Sequence, residues 1–134
     1  MTNCIFCQIV AGEIPSYKIY EDNEILAFLD ILPVNPGHVL VISKKHFDDF
    51  LTTPDAIHCQ IIKVAKKIGK KIVESGLGEG FNIGVNTGSV AGQVVNHFHL
   101  HLMPRKKGDG YKLWRGKKYL EGEAKKIVKI IEIK

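Results

Sequence analysis

His97-Phe98-His99-Leu100-His101-Leu102-Met103 sets imidazole against apolar side chains over seven consecutive residues. Successive side chains of an extended chain point to opposite faces, so His97, His99 and His101 share one face and Phe98, Leu100 and Leu102 the other. The stretch therefore reads as the middle of a strand spanning residues 96–103 that buries its apolar face and presents three imidazoles. At ~3.3 Å per residue successive histidines follow at about 6.6 Å, near enough to flank one phosphate-sized group. Six histidines occur in 134 residues and three of them fall within these five positions, a concentration that points to chemistry. Two chemistries fit. A neutral imidazole attacks phosphorus while protonated neighbours steady the oxyanions and protonate the leaving group; or alternating histidines on one strand ligate zinc, copper or iron.

Outward from this stretch, Phe81-Asn82-Ile83-Gly84-Val85-Asn86 reads as a further strand, joined to it by a glycine-bearing loop over residues 87–93. Lys18-Ile19-Tyr20 and residues 24–29 read as two strands around a turn, and Gly37-His38-Val39-Leu40-Val41-Ile42-Ser43 as a third. Thr53-Pro54-Asp55 is a helix start, with Thr53 as N-cap and Pro54 at the first helical position. Ile57, Ile61, Val64, Ile68 and Ile72 then recur at helical spacing, with the end expected near Gly76. Cys59 falls in this helix and reads as a buried residue. Beyond Pro104 the chain is basic and glycine-spotted until Tyr119, after which Ala124, Ile127, Val128 and Ile131 suggest an amphipathic helix, with a strand as the alternative.

The length suits one domain with one core, and 45% hydrophobic against 25% charged residues is the balance of a folded globular chain. The net charge of +5 comes mainly from lysines clustered in residues 63–71, 106–118 and 125–134. These read as solvated faces; the basic stretches lack the interleaved aromatics that stack bases, so nucleic acid is not an expected partner. Met1-Thr2-Asn3-Cys4 has no signal layout and no run reaches the ~18 apolar residues of a membrane span, so a cytoplasmic protein is expected. With three cysteines in a reducing compartment, Cys4-Ile5-Phe6-Cys7 suggests metal or redox chemistry before a disulfide.

Gly92-Gln93, the histidine alternation from His97 to Met103 and the closing Pro104-Arg105 together resemble the signature of the histidine-triad (HIT) nucleotide hydrolases and transferases. Upstream, Cys4-Ile5-Phe6-Cys7, Gly12-Glu13-Ile14-Pro15, Phe28-Leu29-Asp30, Asn35-Pro36-Gly37-His38-Val39-Leu40-Val41 and Lys44-Lys45-His46 resemble the same family in the expected order. The resemblance covers residues 4 to about 105. It implies an α+β fold with a five-stranded antiparallel sheet, one long helix and a short N-terminal helix. Residues 1–110 would form the HIT domain, and 111–134 a basic extension packed on it. It also implies a homodimer that joins two sheets into one.

On that resemblance His99 would attack the α-phosphate of a nucleotide and be transiently nucleotidylated. His101 would contact the phosphate, and His97 and His38 would complete the hydrogen-bonded cluster. Asp30 matches the acidic residue that takes the ribose hydroxyls, a role suited to an acceptor-only carboxylate. Ile5, Phe6, Ile9, Phe28, Ile31 and Leu40 match the apolar slot for a purine. Asn86, Gly92, Gln93 and Val94 match the phosphate-side loop, where glycine permits close backbone approach. The implied activity is cleavage at the α-phosphate of a nucleoside phosphoramidate or a dinucleoside polyphosphate. The competing readings are a nucleotide sensor or interaction module using the same pocket, and an enzyme with a catalytic metal on the triad.

One branch of the family, close to the HINT-like proteins, holds zinc with a Cys-x-x-Cys pair, a histidine after the central strand and the first motif histidine. Cys4, Cys7, His46 and His97 stand at those places, which implies a structural zinc and no organic cofactor. Two features depart from the pattern. Val94 stands where many phosphoramidate-cleaving members have a small hydroxyl residue directly after Gly-Gln, which leaves dinucleoside polyphosphates open as substrates. The long basic tail, with Trp114 and Arg115, differs from the shortest members; Trp114 reads as a substrate-facing, dimer-facing or packing aromatic.

Overall fold

A computed structural model describes residues 3–134, so Met1 and Thr2 of the opening stretch lie outside it. The strands are β1 (Lys18–Glu21), β2 (Ile25–Leu29), β3 (Val39–Ser43), β4 (Gly80–Gly84) and β5 (His99–Arg105). The helices are α1 (Ile5–Val10), α2 (Asp55–Glu74) and α3 (Glu123–Ile131), which makes the C-terminal segment a helix. The strands form one antiparallel sheet in the order β1-β2-β3-β5-β4. This is the α+β architecture expected.

Both faces of the sheet are covered. Phe98, Leu100 and Leu102 pack with Val39, Val41, Ile25 and Ala27 against Ile61, Val64, Ile68 and Ile72 of α2. The opposite face, carrying Leu26, Phe28, Leu40 and Ile42, packs on Phe6 and Ile9 of α1. That explains why β2 and β3 read as unbroken apolar runs: strands covered on both sides lose the polar half of their alternation. The same cover closes over the face that carries the imidazoles, so His97 is fully buried and His99 is only 9% exposed.

Three local expectations are corrected. Strand β5 begins at His99, and His97 and Phe98 enter it from the preceding segment, with Phe98 N–H donating to Phe47 O at 2.7 Å. Thr53 does not cap α2: its Oγ1 donates to Asp49 O at 2.7 Å, while Pro54 occupies the N-cap position with extended backbone. Cys59 is exposed, since α2 buries the stripe of Ile61, Val64, Ala65, Ile68 and Ile72, and position 59 lies off it.

The tail after Arg105 runs on to α3. Helix α3 buries none of its residues, and Val128, Ile130 and Ile131 are exposed. The tail is anchored where it leaves the sheet. Arg105 is ion-paired to Asp109 through Nε at 2.6 Å and Nη2 at 3.0 Å, and Nη2 also donates to Tyr111 O at 3.0 Å. Among the described residues no helix is long and apolar enough to cross a membrane.

Candidate active site

Strand register brings the histidines together. His99 pairs with Ile42 and His101 with Leu40 of β3, and His38 stands just before β3 on the same side. The His99 and His101 rings lie 4.9 Å apart and the His101 and His38 rings 5.1 Å apart, closer than strand rise alone would set them.

Each ring's partners fix which nitrogen carries hydrogen. His99 Nδ1 lies 2.8 Å from the His97 carbonyl, which can only accept, so Nδ1 donates and Nε2 keeps its lone pair. His38 Nδ1 accepts from Val34 N–H at 3.0 Å, so its hydrogen is on Nε2, which lies 2.9 Å from His101 Nδ1. His101 Nδ1 must then accept, and its hydrogen sits on Nε2. The cluster thus offers a lone-pair nitrogen on His99 beside an N–H donor on His101. Asp30 accepts from Leu32 N–H at 2.9 Å through Oδ1, and its Oδ2 lies 3.7 Å from His38 Nε2.

Burial holds all four rings neutral near pH 7. Desolvation lowers the pKa of His38, His97 and His99 below the ordinary imidazole value, and that of His101 to about 4. The expectation of protonated neighbours is corrected: donors here are neutral N–H groups.

His99 and His101 face a cavity of about 410 Å³ with a mainly apolar wall. Of the predicted nucleotide-site residues, Ile5, Phe6, Ile9, Phe28, Asp30, Ile31, Leu40, Asn86, Gly92 and Val94 line it with them. Gln93 does not. Its side chain is buried, donating to Asp48 O and Val95 O and accepting from Gly88 N–H, so it braces the loop from behind. Sequence reasoning missed Pro15 and Ser16 as lining residues, although Gly12-Glu13-Ile14-Pro15 had marked their neighbourhood. Gly92 adopts φ +97°, and a Cβ there would sit 3.3 Å from Asn86 Nδ2.

His97 occupies a different place from the other two. Its Nδ1 lies 3.4 Å from Cys4 Sγ and 3.5 Å from Cys7 Sγ, and Cys7 Sγ lies 3.3 Å from His46 Nδ1. One ligand atom from each of Cys4, Cys7, His46 and His97 falls within 4.8 Å of the others. Bonds of ~2.3 Å to sulfur and ~2.0 Å to nitrogen at tetrahedral angles put S and N about 3.5 Å apart, so the donor set fits zinc. The remaining nitrogens are oriented as a metal site requires: His97 Nε2 donates to Ser43 O at 2.7 Å and His46 Nε2 to Asp48 Oδ1 at 2.8 Å, which leaves both Nδ1 atoms bare. The His97 side chain is therefore directed at the cysteine cluster, and His97 meets His99 through its main-chain carbonyl.

Sheet order, histidine cluster and covered cavity together define a histidine-triad architecture, and comparison with known proteins agrees. The HIT domain model matches residues 11–108, and the chain belongs to that family. A HIT-like protein of Methanocaldococcus jannaschii is 51% identical over 107 residues, 80% of this chain and 82% of its own. A zinc-bound histidine triad family protein of Mycobacterium smegmatis superposes with a TM-score of 0.79 at 42% identity, covering 87% of this chain and 84% of that one. A histidine triad nucleotide-binding protein of Candida albicans superposes at 0.82 with 34% identity, over 96% and 94% of the two chains.

Proposed function

We propose that this protein is a nucleotide hydrolase or nucleotidyl transferase of the HINT-like branch, cleaving at the α-phosphate of a purine nucleoside phosphoramidate or dinucleoside polyphosphate. The observation that carries the reading is the pairing of a lone-pair nitrogen on His99 with an N–H donor on His101, both facing one apolar cavity. His99 Nε2 attacks phosphorus and forms the P–N bond. The bond to the leaving group breaks, and the leaving group takes its proton from His101 Nε2. Water then attacks the nucleotidyl-histidine, gives a proton to His101 Nε2, and His99 departs with its lone pair restored. His38 holds His101 in the tautomer that can donate, and the His97 carbonyl holds His99 in the tautomer that can attack.

The purine lies between α1 and β2, against Phe6, Ile9 and Phe28, and Asp30 accepts from the ribose hydroxyls. Cys4, Cys7, His46 and His97 hold a structural zinc, which ties α1, the cavity's wall, to the segment before β5. A reducing cytoplasmic compartment keeps both thiols available as ligands. The protein works as a homodimer: β4 is a sheet edge whose Phe81 is exposed beside Val73 of α2, apolar surface that a second copy would cover while extending the sheet.

The deciding experiment incubates wild type and His99→Ala with adenosine phosphoramidate and, separately, with a diadenosine polyphosphate, following AMP release and intact protein mass. AMP release with an adenylyl adduct in wild type alone supports the mechanism. Nucleotide binding without turnover of either compound would replace it with a sensor using the same pocket.

A further inference from the structure

The buried Gln93 side chain joins three stretches of chain: Nε2 donates to Asp48 O at 2.8 Å and Val95 O at 3.2 Å, and Oε1 accepts from Gly88 N–H at 2.9 Å. Its main-chain N–H also donates to Gly88 O at 3.1 Å, so one residue closes the turn from Gly88 to Gln93 by backbone and side chain together. Gly88 and Gly92 sit at φ +87° and +97°, and glycine's wide conformational range gives such a turn little shape of its own. What the turn shapes is cavity wall: Gly92, Val94 and Val95 line the cavity, and Asn86, which lines it too, donates to Gly92 O at 3.3 Å. At the other end of the Gln93 tie, Asp48 Oδ1 accepts from His46 Nε2 at 2.8 Å, and His46 Nδ1 lies 3.3 Å from Cys7 Sγ. A run of contacts thus leads from the Cys4, Cys7, His46 and His97 cluster, through Asp48 and Gln93, to the wall of the cavity that His99 and His101 face.

We propose that Gln93 is a positioning residue that couples two sites, so that a divalent metal on the cysteine and histidine cluster and a nucleotide phosphate at the loop ending in Gln93 strengthen each other's binding. This rests on the function and the structural zinc proposed above. His46, held through a ligated Nδ1, holds Asp48, and Asp48 presents the carbonyl to which Gln93 donates. A loop held in this way loses less freedom when phosphate binds, and linkage requires phosphate to raise the affinity for the metal by the same factor. The base end of the cavity is tied to the cluster by a different route, because α1 carries both Cys7 and the apolar wall of Ile5, Phe6 and Ile9. Adenosine therefore engages the α1 route alone, whereas AMP engages that route and the loop. The difference between the two ligands isolates what Gln93 transmits.

The affinity for zinc is measured by competition with a chromophoric chelator, with no ligand, with saturating adenosine and with saturating AMP. In wild type AMP is expected to raise zinc affinity roughly fivefold more than adenosine does. Gln93→Glu keeps the acceptor for Gly88 but sets a carboxylate against the Asp48 and Val95 carbonyls, and in it the two ligands are expected to act alike. Asp48→Ala removes the acceptor from His46 while leaving the main-chain carbonyl to Gln93; the Asp48 side chain is 69% exposed, so this variant folds even where Gln93→Glu does not, and the AMP excess is expected to fall in it as well. A residue that merely supported the fold would lower the melting temperature and leave the difference between AMP and adenosine unchanged. An AMP excess that persists in Asp48→Ala or Gln93→Glu, or that is missing from wild type, would overturn the coupling and leave the function standing. Absence of zinc binding would overturn the structural zinc and the coupling with it. Failure of both adenosine and AMP to bind would overturn the function and the coupling together.

Discussion

His38 Nε2 lies 2.9 Å from His101 Nδ1, and because Val34 already donates to the other His38 nitrogen, that hydrogen bond runs from His38 to His101. The direction decides chemistry two bonds away. It leaves the His101 hydrogen on Nε2, the donor that the proposed mechanism uses.

His38→Ala is accordingly expected to lower kcat roughly 10²- to 10⁴-fold, the range of a lost general-acid contribution. The fold survives, and His101 titrates closer to an ordinary imidazole. Steady-state kinetics with NMR titration of the histidine ring protons checks both. An unchanged kcat would remove His38 from the relay.

His99→Ala removes the proposed nucleophile, and a loss of at least about a thousandfold is expected, since groups acting as one unit fail together. Adding His38→Ala to it should cost little more. Equal multiplicative losses in the double variant would show that the two histidines act independently.

Much of this site was legible because alternation is a strong signal: it placed His99 and His101 on one face and Leu100 and Leu102 on the other, and both assignments hold. The cover over the histidine face was not legible, because α1 has six residues and too few turns to display a period. From that cover follows the feature missed: burial keeps the imidazoles neutral, whereas the engagement of His97 with Cys4 and Cys7 was among the expectations. Gln93 misled because a polar residue beside a glycine in a phosphate-side loop looks like a ligand contact, whereas its amide is spent on Asp48 and Val95. The cavity lined by Tyr111, Lys112, Leu113 and Trp114 was invisible, since it depends on Arg105 holding Asp109 and Tyr111 at the end of β5.

Acid should weaken the protein in a defined window. His101 titrates near 6.5 in the unfolded chain and is pushed down to about 4 in the folded one, so between those values the unfolded chain binds a proton that the folded chain refuses. Stability is therefore constant above the upper value and falls as pH drops toward the lower, by up to about 1.4 kcal/mol per pH unit for this group. His38 and His99, also lowered by burial, add in the same direction. Urea midpoints at neutral and mildly acidic pH measure it, and His101→Gln should flatten the slope.

Chelation tests the Cys4, Cys7, His46 and His97 cluster. If zinc holds α1 to the segment before β5, its removal frees the helix that carries Ile5, Phe6 and Ile9, and the cavity loses one wall. Metal analysis should give one zinc per chain. Cys7→Ser should lower the melting temperature by roughly 10 °C or more and abolish nucleotide binding together with it. A fold that survives chelation while activity disappears would point instead to a catalytic metal on Asp30, His38 and His101, whose ligand atoms also cluster.

Gly37 links backbone conformation to catalysis. It sits at φ +92°, a region costing other residues about 1–2 kcal/mol, and a Cβ there would collide with the Leu77 side chain and come within 3.2 Å of Pro104 Cγ. Gly37→Ala should destabilise by ~2 kcal/mol or more and, by shifting the adjacent His38 away from Val34, lower kcat as well. Pairing it with Leu77→Ala separates the two effects: relieving the collision should restore part of the melting temperature, while the backbone strain beside His38 keeps kcat low. Recovery of kcat in the double variant would mean that the Leu77 collision alone displaces His38, and that the positive φ at Gly37 is needed for packing and not for the relay.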